Sequence, residues 1–304
     1  MLSTSLKLDD FIPVELEDKQ LFNEHYKKYP PVHSDNLFTT MISWKEYSNY
    51  HYLFVENNLI IMTKIKNKIQ FRPPSGNYNK DFFKNFLKLA KKEGSDYSVS
   101  LIDAKTKEWM KQNFPSLIFF PHREYYDYVY LSKNLAELAG SDYSKIRNRL
   151  NKFIKNHQFT IEPISNENMN EINEFLKRWC LWKDCESDPI LENEKKAILY
   201  SMAHFFDLKL SGIIIRVNEK IEAISVYETL SQDTAVVHYE KGTPDYDGIY
   251  KAINQETAKI LQKDFKYINR QSDMNLPGLR KAKMSYRPHH MIEVSHIEKR
   301  SVIF

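Results

Sequence analysis

Residues 210–261 read LSGIIIRVNEKIEAISVYETLSQDTAVVHYEKGTPDYDGIYKAINQETAKIL. Three runs rich in β-branched and aromatic residues stand in this stretch, at 210–217, 221–229 and 234–240. Asn218-Glu219-Lys220 and Ser231-Gln232-Asp233 separate them. Short polar connections of this kind join neighbouring antiparallel strands. A loop follows, from Lys241 and Gly242 through Asp245 and Asp247 to Gly248. Beyond it Ile249, Ile253, Ile260 and Leu261 recur at helical spacing. An apolar stripe of that period buries one helix face. The stretch therefore predicts a three-stranded antiparallel meander, a loop and a helix, continued by a strand at 265–270 and a short helix at 278–286.

The same order occurs earlier in the chain. Strands are expected at 51–56, 59–65 and 68–73, with Asn57-Asn58 and Lys66-Asn67 between them. A polar loop, Pro74 to Asn77, precedes a helix carrying Phe82, Phe83, Phe86, Leu87 and Ala90 on one face. A strand at 97–102 and a short helix at 106–112 follow. Arg72 is the one cation lining the loop of this half, which reads as a structural or binding half. Between the halves lie a strand at 127–131 and a basic amphipathic helix at 142–157, capped by Ser141 or Asp142. Helices are expected at 166–183 and 192–206. A chain of 304 residues accommodates two cores, and the division is expected as an N-terminal domain 1–131 and a C-terminal domain 132–304.

The net charge of +4 is modest, but basic residues cluster at 145–155 and 280–287. The two cysteines, Cys180 and Cys185, form no CxxC pair, so neither a disulfide framework nor a metal site is expected. The first residues hold Asp9 and Asp10 and no apolar signal core, and no apolar run approaches the ~20 residues that span a bilayer. A cytoplasmic protein without an integral membrane segment is the expectation.

Two helices, a meander, a loop, a helix, a strand and a helix together resemble the GNAT acyltransferase plan. The resemblance implies an α+β fold: two tandem GNAT-like (acyl-CoA N-acyltransferase) domains, each a mixed, mainly antiparallel sheet flanked by helices. It also implies that the loop after the third meander strand and the next helix N-terminus receive the donor phosphates, where backbone N–H groups and the helix dipole favour an anion. Lys241, Gly242 and Gly248 take those places. Asp245 and Asp247 depart from the usual Arg/Gln-x-x-Gly-x-Gly/Ala pattern by adding negative charge, and an ordinary strand-to-helix turn has the same residues.

Residues 267–288, YINRQSDMNLPGLRKAKMSYRP, carry a narrower resemblance. Together with Asp127 to Leu131, Lys145 to Phe153, and His238 to Lys241 with Gly248, they are similar to the family grouped with the C-terminal domain of phosphatidylglycerol lysyltransferase. Members show Asn-Arg-Glu-x-Asp-x-Gly before Gly-Leu-Arg-Lys-Ala-Lys-x-Ser-Tyr-x-Pro. Gln271 stands here for the family's Glu, and Asn275 for its Gly. The likeness implies a site in the second domain.

Within it, Glu240 is the candidate general base and Tyr286 the proton donor to a leaving group. Each has a plainer role available, as a strand-end carboxylate paired with Lys241 and as a core tyrosine. Lys241, Gly242, Gly248, Arg280 and Lys283 are the candidates for holding donor phosphates. Arg280 and Lys283 are three apart and share a helix face. Asn269, Arg270 and Asp273 are the candidates for the substrate pocket, and the last two serve equally as a buried ion pair. The expected function is transfer of an acyl or aminoacyl group from acyl-CoA or aminoacyl-tRNA to an amine or hydroxyl, with no covalently bound cofactor. The rival is a non-catalytic module on the same scaffold that binds a small molecule or RNA.

Overall fold

The computed structural model describes residues 6–186 and 188–303, and it divides into two units, one of residues up to Tyr126 together with those from Ile292, the other Asp127–Met291. In the first unit β1 (Ile12–Pro13) and the helices α1 (Lys19–Lys28), α2 (Phe38–Ser43) and α3 (Lys45–Ser48) precede the meander. The meander is β2 (Tyr50–Val55), β3 (Asn58–Ile65) and β4 (Lys68–Phe71), within two residues of the expected bounds. The hairpin turns use left-handed backbone at Asn57 and Lys66. A two-residue β5 (Ser75–Gly76) folds back on β3. Then come α4 (Lys80–Glu93), β6 (Tyr97–Asp103), α5 (Ala104–Asn113) and β7 (Phe119–Pro121).

Asn79 starts α4 by accepting the Phe82 N–H at 2.9 Å. The helix then buries Phe82, Phe83, Phe86, Leu87 and Ala90 against Ile60, Met62, Phe71 and Val99 of the sheet. Each of those phenylalanines contributes on the order of 1.5–3 kcal/mol by leaving water. Strands β4 and β6 are parallel and meet at one register position, Phe71 with Val99.

In the second unit β8 (Asp127–Leu131), α6 (Ser132–Glu137), α7 (Ser144–Asn156), β9 (Phe159–Pro163), α8 (Met169–Lys183) and α9 (Pro189–Ala203) lead to the meander. That meander is β10 (Ser211–Val217), β11 (Lys220–Ser231) and β12 (Thr234–Gly242). It is followed by α10 (Ile249–Leu261), β13 (Tyr267–Asn269), α11 (Pro277–Ser285) and β14 (His290–Ile292). The sheet order is β14-β8-β13-β12-β11-β10-β9, with β12 and β13 parallel. Helix α10 lays Ile249, Ile253 and Leu261 into a core shared with Ile213, Ile215, Ala223 and Val237.

The chain then returns to the first sheet as β15 (Val294–Glu298), which lies between β6 and β7. Both units are thus mixed, mainly antiparallel sheets flanked by helices, as in two tandem GNAT-like domains. Strand 127–131 pairs with β13 of the second sheet, and the last strand completes the first sheet. Both pairings are long-range, so local periodicity could not assign them to a domain. The turn before α7 also differs from expectation. Ser141–Tyr143 form a 3₁₀ turn, the N-cap is Tyr143, and no side chain caps the helix. Among the described residues no helix is long and apolar enough to cross a membrane.

Candidate functional site

Strands β12 and β13 pair only where Thr234 to Val236 meet Tyr267 to Asn269, and beyond that point the parallel ladder stops. Partway along β12 the register slips. Tyr239 faces Val226 while Val237 faces Tyr227, leaving His238 as the extra residue of a bulge. Glu240 on β12 and Arg270 just after β13 join across this opening in a charge-assisted hydrogen bond. The other Glu240 oxygen accepts from Asn254 Nδ2 at 3.1 Å. With both oxygens engaged and its side chain 7% exposed, Glu240 anchors Arg270 rather than standing open as a base.

Two aromatic rings and a lysine lie around this pair. The Arg270 guanidinium lies 5.0 Å from the Tyr286 ring and 5.8 Å from the Tyr130 ring. Burial opposes its charge, but Glu240, Tyr130 and Tyr286 together hold its pKa above the ordinary arginine value. Lys251 Nζ sits 4.8 Å over the Tyr286 ring. Lys251 is half-buried and makes no ion pair among the described residues, although the Glu240 charge acts on it. Burial, then the charges of Arg270 and Arg149, draw its pKa down to about 8. Tyr286 itself is buried, its pKa is raised by desolvation, and its hydroxyl makes no hydrogen bond among the described residues.

The loop after β13 is built from the remaining family motif. Asn269 is wholly buried, donates to Asp127 Oδ2 at 2.8 Å and accepts the Gln271 N–H at 2.7 Å. Asp273, also wholly buried, accepts from the Tyr128 hydroxyl at 2.5 Å, from Arg280 Nε and Nη2 at 2.8 and 3.0 Å, and from the Asn275 N–H at 2.9 Å. Lys283 is buried, donates to the carbonyls of Arg270 and Gln271, and packs 5.7 Å from the Tyr128 ring. Its pKa falls to about 7 through burial and the Arg270 charge. Arg280 and Lys283 are therefore tied separately to this loop and do not form a shared phosphate clamp. Asn269 and Asp273 shape the backbone that presents Arg270.

The two family departures have different consequences. Asn275 has φ 60°, a left-handed conformation that Gly and Asn both adopt readily. Gln271 donates from Nε2 to His238 Nδ1 at 3.1 Å, so His238 carries its proton on Nε2 and donates to Glu228 at 2.7 Å. The amide thus fixes an imidazole tautomer at the bulge.

The strand-to-helix loop is poor in available cations. Lys241 lies 2.8 Å from Glu194 and 4.3 Å over the Trp179 ring. Asp247 pairs with Lys152 at 3.2 Å, and Asp245 is exposed. Gly248 is the N-cap of α10 at φ 101°, and a Cβ there would come within 2.6 Å of the Arg149 carbonyl oxygen. Gly242 pairs with Ala223 at the end of β12. On the basic helix, Arg147 spends its guanidinium on the carbonyls of Leu138 and Gly140.

Lys251, Tyr128 and Tyr130 were not legible as site residues. Asn254 offered the available signal: a buried amide inside the apolar stripe of α10 needs a polar partner, and its Nδ2 finds one in Glu240.

A tandem GNAT-like chain with a guanidinium, an ammonium and a phenol at the opening of its second sheet has the makings of a group-transfer protein. The chain belongs to the family of phosphatidylglycerol lysyltransferase C-terminal domains, whose model matches residues 26–296. It superposes on a conserved protein of unknown function from Bacteroides thetaiotaomicron with a TM-score of 0.87 at 27% identity, over 95% of this chain and 98% of that one. L-PGS from Bacillus licheniformis has the same fold, with a TM-score of 0.63, 13% identity and 93% and 92% of the two chains covered. FemX does as well, at a TM-score of 0.57, 10% identity and coverage of 95% and 98%. A curated relative, an uncharacterized protein of Mycoplasmoides gallisepticum, is 24% identical over 234 residues, or 74% of this chain and 73% of its own length.

Proposed function

We propose that this protein transfers an aminoacyl group from aminoacyl-tRNA to an amine or hydroxyl acceptor at the opening between β12 and β13. The observation that carries the proposal is Tyr286, whose hydroxyl has no hydrogen bond among the described residues and whose ring packs against Arg270 and Lys251. Attack on an ester carbonyl places negative charge on the carbonyl oxygen and then on the leaving ribose oxygen. A neutral phenol beside the Arg270 guanidinium donates a hydrogen bond to the first and a proton to the second. Lys251, with a pKa near 8, is partly neutral at physiological pH and takes the proton of the incoming nucleophile. Arg270 supplies fixed positive charge, and Glu240 holds it in place.

Aminoacyl-tRNA is preferred over acyl-CoA because the loop from Lys241 to Gly248 presents exposed carboxylates, and its lysine is committed to Glu194 and Trp179. A pyrophosphate would find little compensation there. An aminoacyl-tRNA donor requires a cytoplasmic protein. One observation favours a non-catalytic module instead: both oxygens of Glu240 are engaged, so the site has no carboxylate base.

Thermal shift and ester-turnover measurements with charged tRNA, uncharged tRNA and acetyl-CoA separate these alternatives. The expected result is stabilisation by charged tRNA and loss of its ester bond, the loss slowed about 10²-fold in Tyr286→Phe. Stabilisation without turnover would favour the binding module, and stabilisation by none of the three would end both donor proposals.

A further inference from the structure

The first unit has its own buried arginine at the matching opening. Arg72 follows β4 directly, where β4 and β6 have just met at their single parallel register position. Its backbone N–H is held by the Ile61 carbonyl at 2.8 Å. Phe71 and Val99 face the helix-side core, so by strand alternation Arg72, Ser98 and Ser100 lie on the opposite face. In the second unit the guanidinium at this place is neutralised by Glu240. Arg72, only 6% exposed, makes no ion pair among the described residues.

Its hydrogen bonds are as incomplete as its charge balance. Nη1 donates to Ser100 Oγ at 2.6 Å. Nε is buried without a partner, and nothing among the described residues accepts from Nη2. The Nε–Nη2 edge is the side of a guanidinium that grips a carboxylate with two parallel hydrogen bonds. Three more groups around it are at least nine-tenths buried and also lack partners: Ser98 Oγ, His122 Nδ1 and His296 Nδ1. The two imidazoles contact each other with ring centroids 4.7 Å apart, and His122 lies within electrostatic range of Arg72. Native interiors leave few polar groups unpaired, and such a concentration around one buried cation calls for an occupant.

We infer that Arg72, Ser98, Ser100, His122 and His296 form a binding site for a small carboxylate monoanion. Charge decides between a carboxylate and a phosphate dianion. Arg72 is the one fixed cation of the cluster, and burial lowers the pKa of both histidines, His122 to about 4, against the raising effect of the half-exposed Glu124, which lies 3.5 Å from His122 Nε2, so both are neutral at pH 7. One buried positive charge matches one negative charge, and a second would be left uncompensated. The Ser100 hydroxyl, having accepted from Arg72, still has its own proton to give. Tyr97, 41% exposed, packs its ring 4.2 Å from His296, so the cluster lies about one ring deep from solvent. The site is independent of the transferase proposal and stands or falls without it.

The test is a thermal-shift titration of the full chain with sodium acetate, sodium phosphate and sodium chloride at matched ionic strength. A saturable rise in Tm is expected with acetate, larger than with phosphate and absent with chloride. Arg72→Met should abolish the acetate response while melting no lower than wild type in chloride, because it removes an unpaired buried charge. No acetate response, an unchanged response in Arg72→Met, or a larger response to phosphate would each overturn the assignment. Should Arg72→Met not fold, Arg72→Lys decides. It keeps the charge and loses the fork, and half-saturation should move at least about tenfold higher. An unmoved half-saturation overturns the site.

Discussion

Lys251 is held half-buried over an aromatic ring and makes no ion pair among the described residues, and this sets a pH response opposite to that of a salt-bridged lysine. Its folded pKa of about 8 lies below the ordinary 10.5, so between those values the unfolded chain binds more protons than the native one. Stability should therefore rise as pH climbs from about 8 towards 10.5, and Lys283, drawn down to about 7, starts the same trend earlier. Denaturant titrations at pH 7 and pH 9 should show this rise in wild type and a smaller one in Lys251→Met. If transfer occurs, its rate should increase through pH 8 as Lys251 loses its proton, and the variant should lose that inflection. Tyr286→Phe removes one hydroxyl and should reduce transfer by about 10²-fold with the fold intact by circular dichroism. Asn275→Gly should change stability by less than about 1 kcal/mol, because the left-handed backbone at 275 suits either residue.

At the scale of elements, the meanders and the helices that follow them were legible because each has one buried face and a clear period. Phe82, Phe83, Phe86 and Leu87 mark α4, and Ile249, Ile253 and Leu261 mark α10. Short elements were not. β7, β9, β14 and β15 have three to five residues each, too few to show a period, and they exist because neighbouring strands supply their hydrogen bonds. Gly248 was read as a phosphate-loop glycine, yet its place has a steric reason: φ 101° and the Arg149 carbonyl leave no room for Cβ. Gly248→Ala should cost roughly 1–3 kcal/mol in urea unfolding. A much smaller cost would mean that the α7–α10 contact relaxes easily.

Across the whole molecule the chain leaves its first unit after Tyr126 and comes back to it at Ile292. Ile297 and Val302 are wholly buried in the first unit's core, so its last strand is as necessary as its meander. Deleting residues from 292 onward should abolish the first unit's unfolding transition in calorimetry and leave that of the second, Asp127–Met291. By itself, the sequence determined the α+β class, the repeated meander and the family. These follow from local periodicity and from one long motif. Only the tertiary structure decided what each charge does. It gave Glu240 to Arg270, Lys241 to Glu194 and Arg280 to Asp273, and it left Lys251 and Arg72 without an ion pair among the described residues. Charge pairing depends on distances between residues far apart in the chain, and periodicity carries no record of those distances.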